Sequence, residues 1–193
     1  MSQPEPTLTF PSQDEWEAWL QAHCDSGSGV WLRLGKKSSG QSLTSLTYPQ
    51  ALDSALCFGW IDGQKKTEND QFWLQRFCRR TAKSIWSKIN TEKAQALVLA
   101  GRMRPTGLHE IQLAQQDGRW DQAYASSRNA AVPADLQTAL EGNKKAQAFF
   151  ETLNRQNRYA ILFRIQNVKK AETRARKISQ FVEMLANGEK PYP

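Results

Sequence analysis

The spacing of apolar positions changes period along this chain, and each change predicts an element. Trp16, Trp19, Leu20 and His23 recur at i, i+3, i+4 and i+7, which places them on one face of a helix. Ser12 and Glu15 form a capping box just ahead of it, and Gly27 and Gly29 end it. The period then drops to two. Val30, Leu32 and Leu34 alternate with Trp31 and Arg33, which predicts a strand. A polar loop, SSGQSLTS, follows. Thr47 and Gln50 make a second capping box with Pro49 in the first turn. The helix they open continues through Leu52, Ala55 and Leu56 to a stop at Gly59. A short strand from Trp60 is expected to enter a turn at Asp62-Gly63. QFWLQRFC then alternates again, with Phe72, Leu74, Arg76 and Cys78 on one face and Trp73, Gln75 and Phe77 on the other.

From Asn90 onward the pattern is helical. One helix is expected from the cap at Asn90 or Thr91 to Gly101, and another from Pro105 to Asp117-Gly118. Residues 119–132 have no period and read as a connector. Four more helices are expected at roughly 133–142, 144–153, 155–168 and 171–187. In the last, Ala171, Ala175, Ile178, Val182 and Leu185 should face inward. The fold class is therefore α+β. A small mixed or antiparallel sheet with packing helices (8–118) precedes the connector (119–132) and an all-helical module (133–187).

Composition narrows the function classes. Charge is uneven within a net +7: residues 1–63 carry −4, 64–104 carry +7, 105–140 carry −2 and 141–193 carry +6. Two basic blocks on an otherwise acidic chain suggest an anionic partner, either a small molecule or a protein. Nucleic acid is a third possibility, but Glu172 and Glu183 interrupt the basic C-terminal run. Three cysteines and two histidines, irregularly spaced, build neither a disulfide framework nor a metal site, so no metal and no cofactor are expected. No run is long and apolar enough to span a bilayer, and the N-terminus lacks the features of a signal peptide, so a cytoplasmic location is expected.

Candidate chemistry concentrates in one band. Trp60, Asp62, Lys65, Arg76, Arg79, Trp86, Ser87 and Asn90 combine guanidinium groups, which bind oxyanions, with indole faces, which stack on rings. Arg76 and Arg79 lead, because an arginine on an inward strand face requires an anion. Asp62 could serve as a general base, yet no histidine or second carboxylate lies near it in sequence. Ser87 has no local histidine partner. Each residue also has a structural reading. Trp60 could plug a helix–strand junction, Asp62 could pair with an arginine, and Asn90 could be a helix cap. Arg158 and Tyr159 open a later apolar helix and could reach the same cleft from the C-terminal part. Cys57 and Cys78 read as inert core thiols.

The segments FPSQDEWEAWL, GVWLRLGKK, ALCFGWIDG, SIWSKIN, GRMRPTGL and NRYAILFRIQNVKKAETRARKISQFVEML together resemble the bacterial YdeI/OmpD-associated (OmdA, bacteriocin-protection) family over about residues 10–193. One departure is local: the family pattern has a proline before the arginine pair, where this chain has Cys78 nearby. The resemblance implies a link to protection against bacteriocins, cationic antimicrobial peptides or envelope stress, with the helical C-terminal segment as the defining module. It implies no particular reaction. Two functions follow as expectations, a binding protein for an anionic ligand or partner and an enzyme acting on a phosphorylated or carboxylated metabolite.

Overall fold

The computed structural model describes residues 4–24, 27–36 and 46–193. The polar loop expected over 38–45 lies outside them. Backbone packing divides the chain into two units, Met1–Ala123 and Tyr124–Pro193. The fold is α+β, with a small mixed sheet and helices in the first unit and helices alone as the regular elements of the second.

The first unit runs β1 (Thr7–Leu8), α1 (Gln13–Ala22), β2 (Val30–Gly35), α2 (Tyr48–Cys57), β3 (Trp60–Thr67), β4 (Phe72–Arg79), α3 (Lys88–Leu99) and α4 (Pro105–Gln116). The sheet order is β1-β2-β4-β3, with β1 parallel to β2 and the other pairs antiparallel. The expected capping box forms at α2, and at α1 its forward half forms. The Ser12 hydroxyl accepts the Glu15 amide at 3.2 Å, and Gln50 Oε1 accepts the Thr47 amide at 2.9 Å. The strand alternation also holds, because Val30, Leu32 and Leu34 are buried while Trp31 and Arg33 are half-buried. These residues pack with Trp16, Leu20, Ala55, Leu56, Trp60 and Phe77 into one core. The Trp16 indole N–H donates to the Ala51 carbonyl at 3.1 Å, which pins α1 to α2 with no buried donor left over at that contact.

The expected turn at Asp62-Gly63 is corrected. β3 continues to Thr67, and Asp62-Gly63 begins a bulge: Asp62 faces Phe77 and Lys65 faces Gln75, so Gly63 and Gln64 together oppose Arg76. A bulge breaks the ladder and exposes carbonyls, and here a side chain satisfies them. The buried Gln75 amide donates to the carbonyls of Gly63 (3.0 Å) and Gln64 (3.2 Å). The chain reverses after Thr67 instead, where Asn69 Oδ1 accepts the amides of Gln71 and Phe72 at 2.9 and 2.8 Å.

The second unit contains α5 (Ala134–Glu141), α6 (Lys144–Thr152), α7 (Arg155–Gln166) and α8 (Ala171–Ala186). Leu136, Leu140, Phe150, Ile161, Ile165, Ile178, Phe181 and Leu185 form its own core. The expected inward stripe of α8 is corrected. Ala171 and Ala175 are exposed, and Phe181 is buried beside Ile178 and Leu185. A phenyl ring buries more apolar area than two methyl groups, so it decides which way the helix turns.

Two glycines separate steric from conformational constraint. A Cβ on Gly107 in α4 would collide with the Cys57 carbonyl, where α4 crosses the end of α2. Gly101 has φ +67° and open space around it. Gly107→Ala is expected to cost about 2–3 kcal/mol through displaced backbone, and Gly101→Ala about 1 kcal/mol through backbone strain alone. Chemical denaturation of the two variants tests that order.

Candidate functional site

The residues singled out in the sequence do not converge on one point. Trp60 is fully buried at the junction of α2 and β3, with its ring edge on Trp19 at 5.7 Å. Asp62, half-buried, accepts a hydrogen bond from the Tyr48 hydroxyl at 2.8 Å. The Lys65 ammonium lies 4.4 Å from the Trp73 ring centre, and Tyr48 packs on the same ring at 5.6 Å. Tyr48, Asp62, Lys65 and Trp73 therefore form one small cluster where α2 begins.

Arg76 lies elsewhere. The core side of β4 is the one carrying Gln75 and Phe77, so Arg76 projects from the opposite face with 29% of its side chain exposed. The inward placement expected for it is corrected. Its anion is internal: Nε and Nη2 both donate to the Glu5 carboxylate, Nε at 2.7 Å. Arg79 stands opposite Trp60 in the β3–β4 ladder.

Trp86, Ser87 and Asn90 belong to a third place. Trp86 is buried against Trp120, with ring centres 4.9 Å apart. The Arg80 guanidinium, itself buried, lies 3.5 Å from the Trp86 ring centre and donates to the Ile85 carbonyl. Ser87 caps α3 by accepting the Asn90 amide at 3.1 Å, so the cap expected at Asn90 or Thr91 is corrected. The buried indole N–H groups of Trp60 and Trp86 have no hydrogen-bond acceptor among the described residues. Cys57 is buried, and desolvation pushes its thiol up to about 11, which makes it a poor nucleophile. Cys78, half-buried, departs from the core placement expected for it. Among the described residues no three His, Cys, Asp or Glu side chains group as metal ligands.

Cations are treated differently in the two units. In the first, Arg33, Arg76, Lys93, Arg102 and Arg119 pair with Glu68, Glu5, Asp53, Glu17 and Asp117. In the second, twelve Lys/Arg stand against six Asp/Glu between residues 124 and 193, and Arg174–Asp135 is the only ion pair found among the described residues. This unit also holds an open cleft of about 630 Å³ along one side of α7. Tyr159 and Phe163 line it, with Arg155 at one end and Arg164 and Tyr192 at the other. Tyr159 donates its hydroxyl to the Ala125 carbonyl at 3.1 Å, and burial raises its phenol above the ordinary range. Tyr124 meets Phe163 edge-on at 5.0 Å. Arg158 instead donates to the carbonyls of Phe150 and Glu151 at the end of α6. The sequence signal for the cleft is Arg155, Tyr159 and Phe163 at i, i+4 and i+8, a second face on a helix whose first face is already apolar.

Glu5 gives a pH signature. Its hydrogen bonds from Arg76 hold its carboxyl below the ordinary glutamate range near 4.5. A depressed carboxylate contributes stability that is complete above that range and is lost as pH falls through the lowered native value. Arg76→Gln is expected to cost about 1 kcal/mol or less at neutral pH, since the pair is partly solvated. It should also flatten the loss of Tm between about pH 5 and 3, measured as Tm against pH for variant and wild type.

Comparison with known families assigns the two units separately. Residues 8–110 match a model described as a domain of unknown function (DUF8412). Residues 129–188 match the model described as bacteriocin-protection, YdeI or OmpD-associated (OmdA). No curated protein and no solved structure matches. The OmdA match lies wholly within the second unit, whereas the ALCFGWIDG segment falls in the other match. The chain thus belongs to the DUF8412 family through more than half of its length and carries the YdeI/OmpD-associated, bacteriocin-protection domain in its helical second unit.

Proposed function

We propose that this protein serves bacteriocin protection by binding an anionic ligand or partner in the cytoplasm, with the OmdA-matching unit as the binding element. One observation carries the reading: the second unit concentrates cations that its own carboxylates leave mostly unneutralised. A net positive field attracts anions and raises their local concentration. The same charge disfavours direct capture of cationic peptides, so protection acts indirectly, through what the ligand or partner reports or controls. None of the described helices is long and apolar enough to cross a membrane.

A second reading places ligand contact in the first unit, at one of the separate places into which Trp60, Asp62, Lys65, Arg76, Arg79, Trp86, Ser87 and Asn90 divide, as a binding site or as an enzyme's site for a phosphorylated or carboxylated metabolite. What favours it is the pair of buried indole N–H groups with no acceptor, since such groups ordinarily find one in protein, water or ligand.

Cells lacking the protein are expected to become more sensitive to bacteriocin, and the wild-type chain should restore resistance. Substituting Lys169, Lys170 and Arg176 by Gln, all exposed, should weaken that rescue without lowering Tm. In vitro, a panel of phosphorylated and carboxylated compounds at a hundred times Kd should raise Tm by a few degrees, less in high salt. Unchanged rescue together with no stabilising compound defeats the first reading. Stabilisation abolished by Trp86→Phe and untouched by the surface substitutions supports the second.

A further inference from the structure

Resting on the reading of the second unit as an anion binder, we infer that the cleft along α7 is a specific site for a small planar ring bearing one oxyanion. Its volume of about 630 Å³ suits a single small molecule. Its chemistry is polarised along the helix. Arg155, Tyr159 and Phe163 stand at i, i+4 and i+8, so they form one row, and Arg164, about 100° round the helix from Phe163, lines the cleft at its far end. Nine residues of helix place Arg155 and Arg164 about 13 Å apart along the axis.

The two arginines are not equivalent. The Arg164 guanidinium lies 5.6 Å from the Tyr192 ring centre and donates to its hydroxyl at 3.4 Å. Tyr192 is held in turn, because its amide donates to the buried Asn157 side chain at 2.8 Å. Arg164 and Tyr192 therefore pair with each other at that end of the cleft. Arg155 is exposed, and among the described residues no carboxylate pairs with it. It sits in the first turn of α7, where the helix dipole is positive and the earliest amides have no intrahelical acceptor. Asn154 takes the Asn157 amide and leaves the preceding ones for a ligand. An oxyanion fits at Arg155, and a ring fits over Tyr159 and Phe163, whose centres are 5.7 Å apart and tilted by 43°. An aliphatic polyanion would leave the aromatic floor uncovered, and a neutral ring would leave Arg155 unmatched.

Titration calorimetry on the full chain tests this with two ring-bearing oxyanions, adenosine 5′-monophosphate and 4-hydroxybenzoate. Their halves, adenosine and inorganic phosphate for the nucleotide and phenol and acetate for the aromatic acid, are the controls. At least one intact probe should bind, and each half should bind at least about tenfold more weakly. Arg155→Gln should weaken the intact probe about tenfold with Tm unchanged, since the side chain is exposed. Phe163→Leu should weaken it further while leaving phosphate unaffected. Binding of one probe alone identifies the source as nucleotide or aromatic acid. If neither probe binds, or both variants bind as wild type does, the cleft is not the site. Phosphate binding as tightly as the intact probes and indifferent to Arg155→Gln also overturns the cleft, while leaving the broader anion-binding reading standing.

Discussion

The first unit depends on the way the chain passes through Gly59. Its φ of +76° lets α2 stop and β3 begin without a loop. That abrupt change drops the next residue, Trp60, fully into the core. The Gly59 carbonyl accepts the Arg80 amide at 2.9 Å, which fixes the far end of β4. On its other side the Thr106 carbonyl and the Glu110 side chain approach so closely that a Cβ would touch both. One residue without a side chain thus sets helix, hairpin and α4 against each other. A substitution there meets both a conformational and a steric penalty.

The same economy explains why the aromatic and basic residues of the first unit look like a site in sequence and disperse in space. A strand alternates its side chains across two faces, so Arg76 cannot share a face with Gln75 or Phe77. The bulge at Gly63 and Gln64 then resets the parity of β3, which puts Lys65 on the Trp73 side with Asp62. Arg80 and Trp86 stack on each other beyond the end of the sheet. Among the described residues five cations of this unit have a carboxylate at hydrogen-bond distance, whereas in the second unit one does. Its core is aliphatic and phenyl, its helices carry the excess positive charge, and the cleft along α7 has an aromatic floor.

Local signals were legible in the sequence because their physics is local. The caps at Ser12 and Thr47, the alternation over Val30–Leu34, the glycine stop at Gly59 and the four C-terminal helices each rest on residues a few positions apart. Parts of the candidate cleft were equally visible, since Arg155, Tyr159 and Phe163 share a helix face by spacing alone. Their aromatic pattern, however, reads equally well as core. That Ile161, Leu162 and Ile165 occupy the core instead is settled by packing against α8 and its neighbours.

The sequence by itself thus determined the fold class, the positions of the helices and the segregation of charge, because these follow from backbone propensity, periodicity and composition. Only the tertiary structure decided partners distant in the chain. Glu5 meets Arg76 across 71 positions, Gln75 satisfies the bulge in β3, Phe181 displaces Ala171 and Ala175 from the core of the second unit, and Tyr192 returns to close one end of the cleft. Each depends on which surfaces come together in three dimensions, and an arginine carries no local mark of whether its carboxylate will be supplied from within the chain or from a ligand.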